Sequence, residues 1–123
     1  MCTVLTACGG EGTTTEEGGK IMYQQITQEE AKKIMDSGEE HIVLDVREQD
    51  EFDEGHIPNA ILIPYTEIDA KAEGILTDKD AQILVYCRSG RRSKIAAESL
   101  ANLGYTNVKE FGGIIDWEYE IVK

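Results

Sequence analysis

Three apolar runs without a polar interruption constrain this chain most: Ile42-Val43-Leu44, Ala60-Ile61-Leu62-Ile63 and Ile83-Leu84-Val85-Tyr86. A strand with one face in water alternates apolar and polar residues. An unbroken run needs cover on both faces, as in a parallel sheet clad by helices. Helical patterns stand between these runs. Thr27-Gln28-Glu29-Glu30 reads as a capping box, with Thr27 accepting from the Glu30 N–H and the Glu30 side chain returning to Thr27. Ala31, Ile34 and Met35 then form an apolar face until Gly38 ends the helix. Further helices are expected over residues 48–54, 67–72 and 93–103, with outer strands over 23–26 and 107–111 and a short terminal helix. The alternation predicts one α/β domain with a mainly parallel central sheet, helices on both faces and right-handed crossovers.

With 123 residues the chain has enough length for one domain with a real core. Residues 21–123 carry the strand and helix pattern, whereas residues 1–20 differ in composition. The segment from Gly9 to Gly19 contains no apolar residue and reads as a flexible linker. Ahead of it, Leu5-Thr6-Ala7-Cys8 resembles a bacterial lipobox, in which the cysteine is lipidated. It departs from that pattern in having seven residues before Cys8, no basic start and no full apolar segment. Two expectations stand. Either Val4-Leu5 is the remnant of a signal peptide and Cys8 anchors an extracytoplasmic lipoprotein, or Cys2 and Cys8 are incidental and the chain as written is cytoplasmic. Contact with a membrane is expected only through such an anchor.

The formal charge of −12 argues against nucleic-acid binding through the general field. Against that acidic background, Arg88, Arg91, Arg92 and Lys94 fall within seven positions. They surround Cys87 in the segment Cys87-Arg88-Ser89-Gly90-Arg91-Arg92-Ser93, which follows the strand over 83–86 and precedes a helix. Cys87 therefore stands at a strand's carboxyl end, where ligands collect in open α/β sheets. The free N–H groups and the dipole of the following helix supply positive potential, and so do the arginines. Such surroundings favour thiolate, the nucleophilic form. Gly90 permits a positive φ or a close backbone approach. Three cysteines make no disulfide framework, and His41 and His56 lack metal-ligand spacing, so neither a metal nor another cofactor is expected.

At these residues the chain resembles the rhodanese-like sulfurtransferases. Leu44-Asp45-Val46-Arg47, Glu51-Phe52 and Gly55-His56-Ile57-Pro58-Asn59-Ala60 are similar to the family's first signature. The loop from Cys87 to Ser93 resembles its active-site loop, and Phe111-Gly112-Gly113-Ile114 with Trp117 its carboxyl-terminal signature. Together they run from about Tyr23 to Tyr119. The resemblance implies a single rhodanese-like domain that transfers a sulfane sulfur from a small anionic donor such as thiosulfate. A persulfide on Cys87 would carry the sulfur to cyanide, a thiol or a protein acceptor. Backbone N–H groups from Arg88 to Ser93 would hold the persulfide, with Arg88, Arg91 and Arg92 binding the donor.

Ser89 and Gly90 shape the loop, and Ser93 either caps the helix or donates to the sulfur. Asp45 and Arg47 either orient the loop and its substrate or form a local salt bridge, the Arg47–Glu51 spacing of i, i+4 favouring a local role. For His56 a structural hydrogen bond is expected, for Trp117 with Ile114 core packing, and for Gly112 and Gly113 a turn. The rival chemistries are phosphate ester hydrolysis and arsenate reduction. Cysteine phosphatases need Cys-x5-Arg, but the residue six after Cys87 is Ser93, and no second cysteine stands ready to resolve an arsenic adduct. The non-enzymatic rivals are a persulfide carrier without turnover and a thiol sensor.

Overall fold

A computed structural model of the chain describes residues 13–15 and 23–123. Its sheet contains β1 (Thr13–Thr15), β2 (Tyr23–Gln25), β3 (Ile42–Asp45), β4 (Ile61–Leu62), β5 (Ile83–Cys87) and β6 (Val108–Gly113), in the spatial order β1-β2-β6-β5-β3-β4. The five strands from β2 to β4 run parallel, and β1 is an antiparallel edge on β2. The helices are α1 (Gln28–Ser37), α2 (Gln49–Glu54), α3 (Ile68–Ile75) and α4 (Arg91–Asn102). Among the described residues there are also two 3-10 turns, Tyr65–Glu67 and Ile114–Asp116.

Side chains alternate across each strand, so the central strands feed two separate cores. Ile83, Val85 and Cys87 of β5 join Leu44, Val108 and the inner faces of α3 and α4, including Ala72, Ala96, Ala97 and Leu100. Leu84 and Tyr86 point the other way, to Val43, Phe111, Ile57 and Ala31 of α1, with Trp117 packed at the edge. All five residues of β5 are buried, as its unbroken apolar run predicts. The sheet is covered on both faces, and the expected α/β architecture is present.

Several boundaries differ from the sequence expectation. α4 begins at Arg91 rather than Ser93, because Gly90 takes φ 108 and turns the chain into the helix two residues early. The terminal helix shrinks to the 3-10 turn at Ile114–Asp116. Within the segment read as a flexible linker, Thr13–Thr15 pairs with Tyr23–Gln25, in keeping with the β preference of β-branched residues. Cys2, Cys8 and the lipobox-like string lie outside the described residues. The capping box of α1 forms as read: Thr27 Oγ1 accepts from Glu30 N at 3.0 Å, and Glu30 Oε1 accepts from Thr27 N at 2.9 Å. Among the described residues, no helix is long and apolar enough to cross a membrane.

Candidate active site

The last residue of β5 is Cys87, paired in register with Gly113 of β6. The chain then turns through Arg88, Ser89 and Gly90 and enters α4. The turn folds back on the sulfur: the Gly90 N–H donates to Cys87 Sγ at 3.0 Å. Sγ also lies 3.5 Å from Ser93 Oγ, so the thiol sits over the first turn of α4. The N–H groups of a helix's first turn have no partners within the helix, and their dipoles sum to a partial positive charge. The Gly90 N–H thus aims one fixed dipole at the sulfur. Cys87 is 1 % exposed. The loop presses directly against β6, since a Cβ on Gly113 would collide with the carbonyl of Arg88. That carbonyl accepts from Ile115 N at 3.1 Å, which ties the loop to the turn after β6.

The basic residues divide into two kinds. Arg88, Arg91 and Lys94 are exposed around the loop together with Ser89, and Lys94 Nζ donates to the Gly90 carbonyl at 3.3 Å. Arg92 is engaged: its two terminal nitrogens donate to Glu51 Oε1 and Oε2, each at 2.9 Å. That fork holds the Glu51 carboxyl down at about 2, well below its ordinary value, and raises Arg92 in turn. Glu51 thus belongs to Arg92, not to Arg47 four residues away, and α2 is stitched to α4 beside the cysteine.

The structure does not bring Asp45 to the loop. Its carboxylate is fully buried and accepts from Arg47 N at 2.9 Å, Arg47 Nη2 at 2.7 Å and Tyr86 Oη at 2.6 Å. Tyr86 Oη accepts from Ile57 N at 3.1 Å, and Arg47 Nη2 also donates to the Gly55 carbonyl at 2.7 Å. Burial together with Asp45 pushes the Tyr86 hydroxyl far above its ordinary value, so it remains a donor. For Arg47, burial disfavours the charge, but the hydrogen bonds and attraction to Asp45 outweigh it and the net shift is upward. This network braces the chain between β3 and β4. Asp45 is thereby engaged with Arg47 and Tyr86. Arg47, 5 % exposed, reaches the wall of a depression lined also by Glu51, Glu54, Arg88, Ile115 and Ile121. His56 has the expected structural role, with Nδ1 2.9 Å from the Phe52 carbonyl and its ring stacked on Phe52 at 3.7 Å. Trp117 packs on Phe111 with ring centroids 5.6 Å apart.

Ser93 does not cap α4; it lies within the helix, fully buried. Its hydroxyl is 2.5 Å from Glu110 Oε2 and 3.1 Å from the Gly90 carbonyl. Glu110 is the residue that sequence reasoning missed. A signal existed: in the β6 segment Val108-Lys109-Glu110-Phe111, strand alternation puts Glu110 on the same inward face as Val108, and an inward carboxylate needs a reason.

The chain is 36 % identical over 97 residues to the putative sulfurtransferase YtwF of Bacillus subtilis, covering 79 % of this chain and 92 % of that one. It is 37 % identical over 73 residues to the thiosulfate sulfurtransferase PspE of Escherichia coli, covering 59 % and 70 %. Other relatives are much longer: the chain spans 24 % of the adenylyltransferase and sulfurtransferase UBA4 of Candida albicans, at 33 % identity over 104 residues. A solved rhodanese with anions from E. coli superposes with a TM-score of 0.63 at 35 % identity, covering 68 % of this chain and 98 % of that one. The rhodanese-like domain family matches residues 27–120, most of the described chain, and this protein belongs to it.

Proposed function

We propose that the protein is a thiosulfate sulfurtransferase working through a persulfide on Cys87. The Cys87 thiolate attacks the outer sulfur of thiosulfate, the S–S bond of the donor breaks, and sulfite leaves with the bonding electron pair. A persulfide, negatively charged on its outer sulfur, remains on the enzyme. Cyanide or a thiolate attacks that sulfur and departs with it, and the Cys87 thiolate is restored. This is covalent catalysis in two displacements, each balanced without an external oxidant.

The observation that carries the reading is the Gly90 N–H donating to Sγ at 3.0 Å over the start of α4. The same donors that favour a thiolate favour a persulfide and the developing charge during transfer. Exposed Arg88 and Arg91 suit recruitment of an anionic donor onto an otherwise acidic protein. PspE, a relative at 37 % identity, bears the name of this reaction.

The test is thiosulfate:cyanide turnover with Cys87→Ser as control, and intact mass after thiosulfate alone. Thiocyanate formation with a mass gain of one sulfur, both absent in the variant, is the expected result. A sulfur adduct without turnover would mean a carrier awaiting a specific acceptor. Neither signal would overturn the reading.

A further inference from the structure

Beside the catalytic loop lies a depression of about 290 Å³, at the small end of the range for sites that take small molecules. Its lining combines Arg88, the residue after Cys87, with Arg47, Glu51 and three isoleucines, Ile114, Ile115 and Ile121. Two of the charges are already satisfied, Arg47 by Asp45 and Glu51 by Arg92. Arg88 forms no ion pair among the described residues. Ile115 is 59 % exposed and Ile121 47 %. A single exposed apolar residue needs no explanation, but these two share one hollow with the catalytic loop. Both are also held in place. Ile115 N donates to the Arg88 carbonyl at 3.1 Å. Ile121 is seated on Gly55, where an added Cβ would come within 3.1 Å of its Cδ1. The next residue, Val122, exchanges two backbone hydrogen bonds with His56, each at 2.8 Å. The apolar surface is therefore fixed at the rim of the loop before any ligand arrives, which lowers the ordering cost of binding there.

We infer that Ile115 and Ile121 are specificity-determining residues for the sulfur acceptor, and that the acceptor is a small organic thiol whose carbon chain lies on them. Neither thiosulfate nor cyanide has a hydrocarbon surface to bury, so the isoleucines contribute nothing to either. A thiol with a carbon chain gains from both halves of the hollow. Its chain lies against Ile115 and Ile121, and its thiolate reaches the loop beside the unpaired Arg88 guanidinium. The electron pair of that thiolate forms a bond to the outer sulfur of the Cys87 persulfide. The bond from this sulfur to Sγ breaks, and its pair returns to Sγ. The products are an organic persulfide and the Cys87 thiolate, with the two negative charges of the reactants conserved. A protein cysteine offers the same reacting group, but a standard protein interface covers about 800 Å² on each partner. A hollow of this volume matches a chain of a few carbons instead. The inference rests on Cys87 carrying a persulfide, as proposed above.

The test loads Cys87 with one sulfur, confirmed by intact mass, and follows its discharge by uncharged ω-mercaptoalkanols of three to six carbons at one pH. Each rate is divided by that thiol's own rate with iodoacetamide, which removes differences in intrinsic nucleophilicity. In the natural protein the normalised rate is expected to rise about twofold to fourfold with each added methylene. In Ile115→Ser and Ile121→Ser that slope should flatten, most of all in the double variant, while discharge by cyanide stays within about twofold of normal. A side chain that only propped up the loop would slow cyanide and thiols together. Both isoleucines are exposed, so serine should be tolerated, and a thermal melt of each variant checks this. A flat series in the natural protein, slopes unchanged in both variants, or a parallel loss with cyanide would each overturn the inference and leave the persulfide standing. Faster discharge by an unstructured peptide with a central cysteine than by the longest mercaptoalkanol would point to a protein acceptor and overturn the small-thiol assignment. Absence of a sulfur adduct from thiosulfate and from inorganic polysulfide alike would defeat the proposed function as well, and it is read before any thiol is added.

Discussion

Gly113→Ala should disable the catalytic loop while leaving the sheet in place. Gly113 has an ordinary extended backbone, φ −133, so an alanine there suffers no conformational strain of its own. The problem is space. A Cβ at this position would stand 2.6 Å from Ser89 Cα and closer still to the carbonyl group of Arg88, against an ordinary contact of 3.4 Å or more. Neither obstacle is the end of a flexible side chain; both are backbone of the loop immediately after Cys87. Relief therefore requires the Arg88–Ser89 peptide to move by roughly 1 Å, and a misplacement of that size at reacting groups costs on the order of a hundredfold in rate. Overpacking of this kind also destabilises, by about 1–3 kcal/mol. The assay pairs thiosulfate:cyanide turnover and Cys87 alkylation with a thermal melt. Gly112→Ala is the internal comparison. Gly112 has φ 97, so alanine there is strained by about 1 kcal/mol, but its Cβ would meet only the Gln28 amide at 3.4 Å. Gly112→Ala should lose stability yet keep most of its activity, whereas Gly113→Ala loses activity first. Turnover within twofold of normal in Gly113→Ala, with an unchanged melt, would refute the claim that β6 supports the loop by direct contact.

Four further outcomes are expected. Asp45→Asn leaves the Arg47 guanidinium buried without its counter-charge and should cost about 3–5 kcal/mol in denaturant unfolding. Tyr86→Phe strands the Ile57 N–H and removes a donor from Asp45; a loss of about 1–3 kcal/mol is expected, with Cys87 alkylation little changed because Tyr86 faces the other core. Glu51 has its folded value lowered to about 2 from an ordinary 4.5, chiefly by Arg92. Its contribution is therefore complete above about pH 4.5 and lost as pH falls toward 2; at this partly exposed rim it is worth roughly 1 kcal/mol, so Glu51→Gln should narrow the gap to the natural protein in acid melts. Finally, a double substitution of Arg88 and Arg91 by Gln should raise KM for thiosulfate and flatten its dependence on salt, while iodoacetamide, a neutral reagent, alkylates Cys87 with a rate changed by less than the KM.

Much of the fold was legible because its signals are local. The apolar run Ile83-Leu84-Val85-Tyr86 demands burial on both faces wherever it is placed, and the capping box at Thr27–Glu30 closes on itself within one turn. The position of Cys87 at a strand end ahead of a helix followed from the same local patterning, and so did the expectation of an electropositive cradle. Sequence reasoning placed the start of α4 two residues late, since the φ of Gly90 depends on how the loop meets β6 and not on helix propensity.

What only the tertiary structure decided was which charges meet. Arg47 and Glu51 have ideal helical spacing, yet Arg47 turns to Asp45 and Glu51 bridges to Arg92, 41 residues away in sequence. For Ser93 sequence left a helix cap and a partner of the sulfur as alternatives; the hydroxyl lies between Cys87 and Glu110. The physical reason is the same in both cases. Backbone hydrogen bonding and hydrophobic periodicity are properties of a short stretch of chain, so sequence alone determined most strands and helices and the place of Cys87 at a strand end. A charged side chain satisfies itself with whatever partner the packed layers bring within 3 Å, and that is set by the register of β5 against β6 and by the docking of α2 and α4 around Cys87.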